Sequence, residues 1–202
     1  SLAGVAGWPT WVLSNHDNAR VATRLGGQER VRAAMTLLLC LRGTPFLYAG
    51  EELGLEDAVV SPQQVVDPGG RDGCRSPIPW TRAPDHAWPG GAWLPFAADA
   101  SRYSVEEQEQ SSASTLRFTR RLLSFRRASD ALRQGEIVRA HSNGAVLTFD
   151  RVAEGEVLRV MVNFTSSPVQ VDDAGTTRVL SSVDAVKSGE LAANEAAIFR
   201  VG

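Results

Sequence analysis

The stretch Trp11-Val12-Leu13-Ser14-Asn15-His16-Asp17-Asn18-Ala19-Arg20 decides how this chain folds. It starts as a short apolar run and then becomes polar or titratable at most positions. So short a run favours a buried parallel strand over a helix, because a helix needs more length and a 3.6-residue period. The sequence therefore predicts a polar cluster just beyond the carboxyl end of a strand, where sites form in α/β proteins. Its members are Asn15, His16, Asp17 and Arg20.

A helix and a second apolar run follow this stretch. Apolar residues recur along one face over residues 28–42, which predicts a helix. Gly43 provides a left-handed stop and Pro45 prevents continuation. Phe46-Leu47-Tyr48-Ala49 predicts the next strand. Strand, helix and strand together make one βαβ unit with parallel strands.

Residues 54–112 show no lasting periodicity and contain many prolines and glycines. Such a long loop is usually functional or disordered, and the tryptophans Trp80, Trp88 and Trp93 favour a packed loop. A helix capped by Ser112 or Ser114 is then predicted to end near Ala128, and its arginines are interpreted as a solvated face.

The pattern changes to period two after Gly135, which predicts an antiparallel β-sandwich of short strands. Turn signals such as Ser142-Asn143-Gly144 separate these strands. The predicted strands cover residues 146–149, 157–164, 169–171, 177–180 and 197–201.

The composition excludes some classes of partner. The 202 residues are 43% apolar, enough for a sizeable core, and carry a formal net charge of −2. This balance gives no general reason to bind nucleic acid or an anionic membrane surface. The longest apolar stretch, residues 33–41, is far shorter than a membrane span. Residues 1–4 show no initiator Met, basic segment or apolar core, which says nothing about export. We expect a cytoplasmic protein, with export left open.

The cysteines and histidines predict neither a disulfide framework nor a metal site, and no cofactor is expected. Cys40 lies in an apolar helical run and is interpreted as a core residue. Cys74 lies near Arg71 and Arg75, whose charges would lower its pKa. The histidines are scattered along the chain, without ligand spacing: His16, His86 and His141.

Three blocks carry a more specific signal. The first is Asn15-His16-Asp17 followed by Arg20, the second is residues 43–54 (GTPFLYAGEELG), and the third is residues 70–80 (GRDGCRSPIPW). The first two resemble the ends of the seventh and eighth barrel strands in the α-amylase superfamily of glycoside hydrolases (family 13). The third is similar to the following loop in its α-glucosidase and oligo-1,6-glucosidase branch. The blocks follow the family's order at about the family's spacing.

The resemblance implies the fold class: the last two strand-helix units of a (β/α)8 TIM barrel, followed by a C-terminal antiparallel β-sandwich. We accordingly assign residues 1–130 to the barrel and residues 131–202 to the β-sandwich. In the family, the nucleophilic Asp and the acid/base Glu follow the fourth and fifth barrel strands, and no counterpart precedes Trp11. We therefore expect a C-terminal portion that is inactive alone. Its expected partner is the missing N-terminal barrel segment or a second copy of this chain.

The resemblance also implies roles for single residues. Retaining glycosidases use two carboxylates on either side of the scissile bond, and a third can stabilise the developing positive charge. The resemblance gives that third role to Asp17 and makes His16 a donor to sugar hydroxyls, with Asn15 orienting the turn. Arg71 is expected to approach the non-reducing end of the sugar. Arg20 and Arg75 are further candidates for substrate binding, whereas Glu51 and Glu52 are interpreted as organisers of their loop.

The expected parent is a retaining α-glucosidase that removes terminal glucose from short α-linked oligosaccharides. One alternative is a trehalose- or sucrose-handling isomerase or phosphorylase of the same superfamily. Another is a non-catalytic amylase-like scaffold or a carbohydrate-binding module built on the β-sandwich. The residues present do not choose between α-1,4 and α-1,6 linkages.

Overall fold

The structure is a computed structural model that describes residues 7–184 and 186–202, so segment 1–4 lies outside the described residues. The helices are α1 (Val21–Leu25), α2 (Gln28–Cys40), α3 (Val105–Gln110), α4 (Thr115–Ala128) and α5 (Asp130–Gln134). The strands are β1 (Thr10–Val12), β2 (Thr44–Phe46), β3 (Glu136–Ser142), β4 (Val146–Ala153), β5 (Glu156–Asn163), β6 (Val169–Gln170), β7 (Thr176–Ser181), β8 (Glu190–Leu191) and β9 (Ala196–Val201).

The chain divides into two compact units. The first, called here the sheet unit, comprises the described part of Ser1–Val12 together with Thr36–Phe46 and Leu123–Gly202. The second, called the loop unit, comprises Leu13–Met35 and Leu47–Leu122. None of the helices in the described parts of the chain combines the length and the apolar character that a membrane crossing requires.

An antiparallel sheet forms the core of the sheet unit. Its strand order is β3-β4-β5-β9-β7, and β6 pairs with β8 in a separate ribbon. The predicted antiparallel strands are confirmed, although β6 has only two residues and β3 and β8 were not predicted. One face buries an apolar cluster because alternate side chains along each strand point to the same side. Its members are Val146, Met161, Leu191, Ala197 and Phe199.

The sheet unit also contains a parallel pair. β1 and β2 pair with Thr10 opposite Thr44 and Val12 opposite Phe46, which confirms the predicted parallel arrangement. The prediction that β1 is a buried strand is wrong, since Val12 is 50% exposed. Phe46 on β2 is likewise 56% exposed. A two-stranded sheet has no neighbours to cover its apolar side chains. The second predicted strand also ends early, at Phe46 instead of Ala49.

Gly43 allows the close approach of the two segments. Its φ is +137°, and a Cβ there would lie 2.5 Å from the carbonyl oxygen of Pro9. The end of α2 just before it is stabilised by arginines, because the last helical carbonyls need donors from outside the helix. Arg151 donates to the Cys40 carbonyl, and Arg126 donates to the carbonyls of Leu39 and Gly43. Arg126 therefore does not belong to the solvated face predicted for α4.

The loop unit is more ordered than its sequence predicts. α3 begins at Val105, and its capping residue Ser104 accepts a hydrogen bond from the Glu107 amide. The buried Gln108 side chain donates to the Leu53 carbonyl at 2.7 Å and accepts from the Leu116 amide at 2.9 Å. These bonds tie the loop to an apolar cluster of Leu53, Leu55 and Leu116.

The tryptophans contribute less to this packing than predicted. Trp88 is half-buried and donates to the Ile78 carbonyl at 2.7 Å. Trp80 and Trp93 are 50% and 63% exposed, so the packing of this loop depends less on them than on its buried leucines.

Candidate functional site

A tight turn presents the polar cluster of the loop unit. The side-chain oxygen of Asn15 accepts hydrogen bonds from the Asp17 amide and from Asn18 Nδ2, both at 2.9 Å. The buried Ser14 hydroxyl accepts from the Val21 amide at 2.8 Å and thereby joins the turn to the start of α1. Asn and Ser side chains stabilise turns by such local bonds. The turn leaves the His16 and Asp17 side chains 68% and 47% exposed.

The Asp17 carboxylate is the centre of an exposed ionic network. Its Oδ1 lies 2.7 Å from Arg71 Nη1 and 3.5 Å from Arg75 Nη2. Its Oδ2 lies 3.3 Å from His16 Nε2. The structure thus brings four of the predicted site residues together, and it places Asn15 at the base of their turn.

Asp67 holds Arg71 in position. Its two oxygens accept from Arg71 Nη2 at 2.8 Å and Nε at 2.7 Å, a two-pronged contact of high geometric specificity. The Arg71 side chain holds the pKa of Asp67 well below its ordinary value, and Asp67 and then Asp17 raise the pKa of Arg71. Sequence reasoning missed Asp67, although a carboxylate four positions before an arginine was a usable signal.

Asp67 is itself positioned by Asp72. Asp72 is 2% exposed, and its Oδ2 accepts from the backbone amides of Val66 and Asp67 at 2.7 and 2.9 Å. A buried carboxylate bonded to two successive amides fixes the local backbone. The loop that carries Asp67 and Arg71 is therefore held in one arrangement.

Arg75 links the loop to the turn, since its Nε donates to the His16 carbonyl at 2.9 Å. Cys74 beside it is 4% exposed, with Sγ 3.1 Å from the Arg71 carbonyl. Burial raises the pKa of Cys74, so the predicted lowering is wrong. The charged ends of Arg71 and Arg75 contact carboxylates instead of the thiol.

Arg20 lies outside the exposed cluster. It is 3% exposed, and its guanidinium donates to the carbonyls of Ala49 at 2.6 Å and Ser76 at 3.3 Å. It also lies over the Tyr48 ring, 4.9 Å from the centroid, and burial lowers its pKa. Gly50 allows this placement, because a Cβ there would lie 2.8 Å from Arg20 Nη1. This arrangement suits a residue that positions two loops.

The two glutamates of the second block organise their loop. Glu51 is 2% exposed and accepts from the Ser14 hydroxyl at 2.6 Å and from the Tyr48 amide at 3.2 Å. Burial raises the pKa of Glu51. Glu52 accepts from the Gly50 amide at 2.9 Å. Both side chains therefore serve the local backbone.

A pocket of about 460 Å³ opens beside Asp17 and Arg71. Its lining combines these charged groups with the small apolar side chains of Ala58, Val60 and Val65. Such a lining suits a ligand with hydroxyl groups and an apolar face. Within residues 7–184 and 186–202, no three His, Cys, Asp or Glu side chains are grouped as metal ligands.

Comparison with known proteins gives a consistent result. Residues 2–135 match the family described as "Alpha amylase, catalytic domain". A "Probable alpha-glucosidase" of Rhizobium meliloti (strain 1021) is 34% identical over 178 residues, which are 81% of this chain and 32% of that protein.

Two solved structures are similar along nearly the whole chain. The alpha-glucosyl transfer enzyme XgtA is 34% identical with a TM-score of 0.87, over 97% of this chain and 41% of that one. The trehalulose synthase MutB from Pseudomonas mesoacidophila MX-45 is 25% identical with a TM-score of 0.87, over 100% of this chain and 44% of that one. The chain thus spans about a third of the curated relative and less than half of each solved structure.

Proposed function

The chain belongs to the alpha-amylase family of glycoside hydrolases, and we propose that it is the C-terminal portion of a retaining α-glucosidase. In this proposal residues 1–130 supply the last two strand-helix units of a (β/α)8 barrel, and residues 131–202 form a β-sandwich domain. The substrate is a short oligosaccharide with a terminal α-linked glucose. The observation that carries the proposal is the exposed Asp17 carboxylate, held by Arg71 and Arg75 beside a pocket of about 460 Å³.

Each residue of the cluster has a task in this proposal. Asp17 stabilises the positive charge of the oxocarbenium-like transition state. His16 and Arg71 donate hydrogen bonds to sugar hydroxyls, because both groups are exposed next to Asp17. Arg75 orients Asp17 from its contact with the His16 carbonyl. Asn15 shapes the turn, and Arg20 positions the loops that carry the site.

The bond-breaking groups come from another part of the parent. A carboxylate attacks the anomeric carbon while a carboxylic acid protonates the departing oxygen, and water then releases the covalently held glucose with net retention. The proposed partner of this chain is therefore the N-terminal barrel segment or a second copy that completes the sheet. The exposed apolar side chains of Val12 and Phe46 on the parallel pair support such a partner.

An activity measurement on the full-length parent tests the role of Asp17. Asp17→Asn keeps the size of the side chain but removes its charge, so we expect kcat for p-nitrophenyl α-glucoside to fall about 100- to 1,000-fold. The matched control is Asp130→Asn, an exposed carboxylate paired with Arg133, which should leave kcat unchanged. Equal rates for the Asp17→Asn variant and the wild type would reject the proposal.

A second candidate function is isomerisation or transfer of a glucosyl unit. It is favoured by the similarity to a trehalulose synthase and to an alpha-glucosyl transfer enzyme. Both reactions pass through a glucosyl-enzyme intermediate, and they differ in whether water or another hydroxyl takes the sugar. Product analysis decides: free glucose from maltose supports the hydrolase, whereas an isomer of sucrose or a new glucoside supports the alternative.

A further inference from the structure

The sheet unit contains a second polar pocket, on residues that the proposed glucosidase site does not use. Its volume is about 320 Å³, and its lining residues come from β3, β4 and β5, from the turn between β3 and β4, and from residues 170–172. The apolar part of the lining is Val146, Met161 and Val171. Pockets of this size with an apolar surface and a few polar groups typically hold small ligands.

A buried carboxylate lies at this pocket. Asp150 is 1% exposed, and its oxygens lie 2.9 Å from Arg159 Nε and 2.8 Å from Arg139 Nε. Arg159 adds a second bond from Nη2 at 3.3 Å. A guanidinium has five N–H groups, so these contacts within the described residues leave donors on both arginines for a ligand.

The backbone of β3 is distorted where it supplies Arg139. The register between β3 and β4 shifts between Val138 and His141, and Arg139 has a φ of +52°. A residue with a Cβ adopts this left-handed conformation only at a cost, and bulges of this kind often redirect a side chain beside a site. The distortion places the Arg139 guanidinium on Asp150.

The charges of the lining favour a neutral ligand. Arg139 and Arg159 are balanced by Asp150 and Asp172, so these four residues leave no excess charge for a phosphate. The other polar groups are the ring of His141, the amides of Gln170 and Asn143 and the hydroxyl of Thr148. Such a mixture of donors and acceptors matches hydroxyl groups, which both donate and accept.

We propose that this pocket binds the glucosyl unit of an α-linked oligosaccharide as a second, non-catalytic sugar site. The hydroxyls bond to the arginine, amide and carboxylate groups, and the apolar face of the ring packs on Met161 and Val171. The choice of glucose rests on the proposed function, whereas the preference for a neutral polyhydroxylated ligand rests on the charges of the pocket itself.

Titration of the ¹⁵N-labelled chain with maltose, followed by NMR, tests this site. Maltose should shift the backbone amides of residues 143–146 and 170–172. Arg139→Asn should weaken this binding at least tenfold, because asparagine tolerates the left-handed backbone but lacks the guanidinium. The control variant Arg200→Asn changes an exposed arginine on β9 outside the pocket and should leave the affinity unchanged.

Further outcomes separate this inference from the proposed function. In the Arg71→Met variant, which alters the Asp17 site, maltose should still shift residues 143–146. Shifts confined to residues 14–20 and 67–75 would overturn the second site and leave the glucosidase proposal standing. Shifts at residues 143–146 with inorganic phosphate and none with maltose would overturn it as well. If Arg139→Asn does not fold, Gln170→Ala replaces it, and an unchanged affinity in that variant counts against the site.

Discussion

Asp17 and Asp150 are each in contact with two arginines, but their surroundings differ. Asp17 of the loop unit is 47% exposed and contacts Arg71 and Arg75. Asp150 of the sheet unit is 1% exposed and contacts Arg139 and Arg159. Water screens the first group of charges, whereas the second depends on its partners for stability. The same residue types therefore have different energetics in the two units, because exposure decides how far the carboxylate depends on its arginines.

The largest difference in stability should appear between two variants that each remove one arginine partner, from Asp150 in one case and from Asp17 in the other. Arg159→Met leaves the buried Asp150 with one partner, and we expect the free energy of unfolding to fall by about 3 kcal/mol. Arg71→Met leaves Asp17 in contact with water, so its urea midpoint should fall much less than that of Arg159→Met. Urea unfolding of both variants, followed by circular dichroism, measures the contrast.

A double variant checks the cause of this loss. If Arg159→Met acts by leaving a buried charge, the further change Asp150→Asn should restore part of the lost stability, because it neutralises that charge. Equal destabilisation by Arg159→Met and Arg71→Met would show that exposure does not distinguish the two carboxylates.

A smaller effect is expected where the loop unit positions Arg71. Asp67→Asn removes one of the two charged acceptors of this arginine and should raise the KM of the full-length parent for maltose about 10- to 100-fold, since small misplacements of a binding group are costly. The comparison variant Asp130→Asn again removes an exposed carboxylate with an arginine partner. A fall in kcat at unchanged KM would contradict a role in sugar binding.

The sequence predicted those features of the site that depend on neighbouring residues. Asn15, His16 and Asp17 could be placed in one turn because a short apolar run ends just before them. The hydrophobic pattern and Gly43 were enough to predict α2 and the two parallel strands on either side of it in the chain. These signals operate over a few residues and need no tertiary contacts.

The missed features depend on contacts between distant segments. Arginines are mostly exposed, so nothing local indicated that Arg20 is buried against the carbonyls of Ala49 and Ser76. Nothing in the sequence around Asp72 indicated that its carboxylate accepts from the amides of Val66 and Asp67. The expectation for Cys74 failed because burial outweighs the arginines that are near it in sequence.

The smallest expected effect is a pH-dependent one at the ion pair of Asp67 and Arg71, whose side chains are 11% and 41% exposed. Arg71 lowers the pKa of Asp67, so the folded chain binds this proton less readily than the unfolded chain does. The stabilising contribution is then complete above the unfolded pKa of about 3.9 and is lost as the pH falls through the lower folded pKa.

The difference in urea midpoint between wild type and Asp67→Asn should be constant from about pH 7 to pH 5 and shrink below about pH 4. Because the Arg71 side chain is 41% exposed, about 1 M salt should reduce the difference further. A difference in urea midpoint that grows in acid or does not respond to salt would contradict a stabilising charge interaction between Asp67 and Arg71. The contrast in exposure between the arginine-held carboxylates of the two units would then explain less.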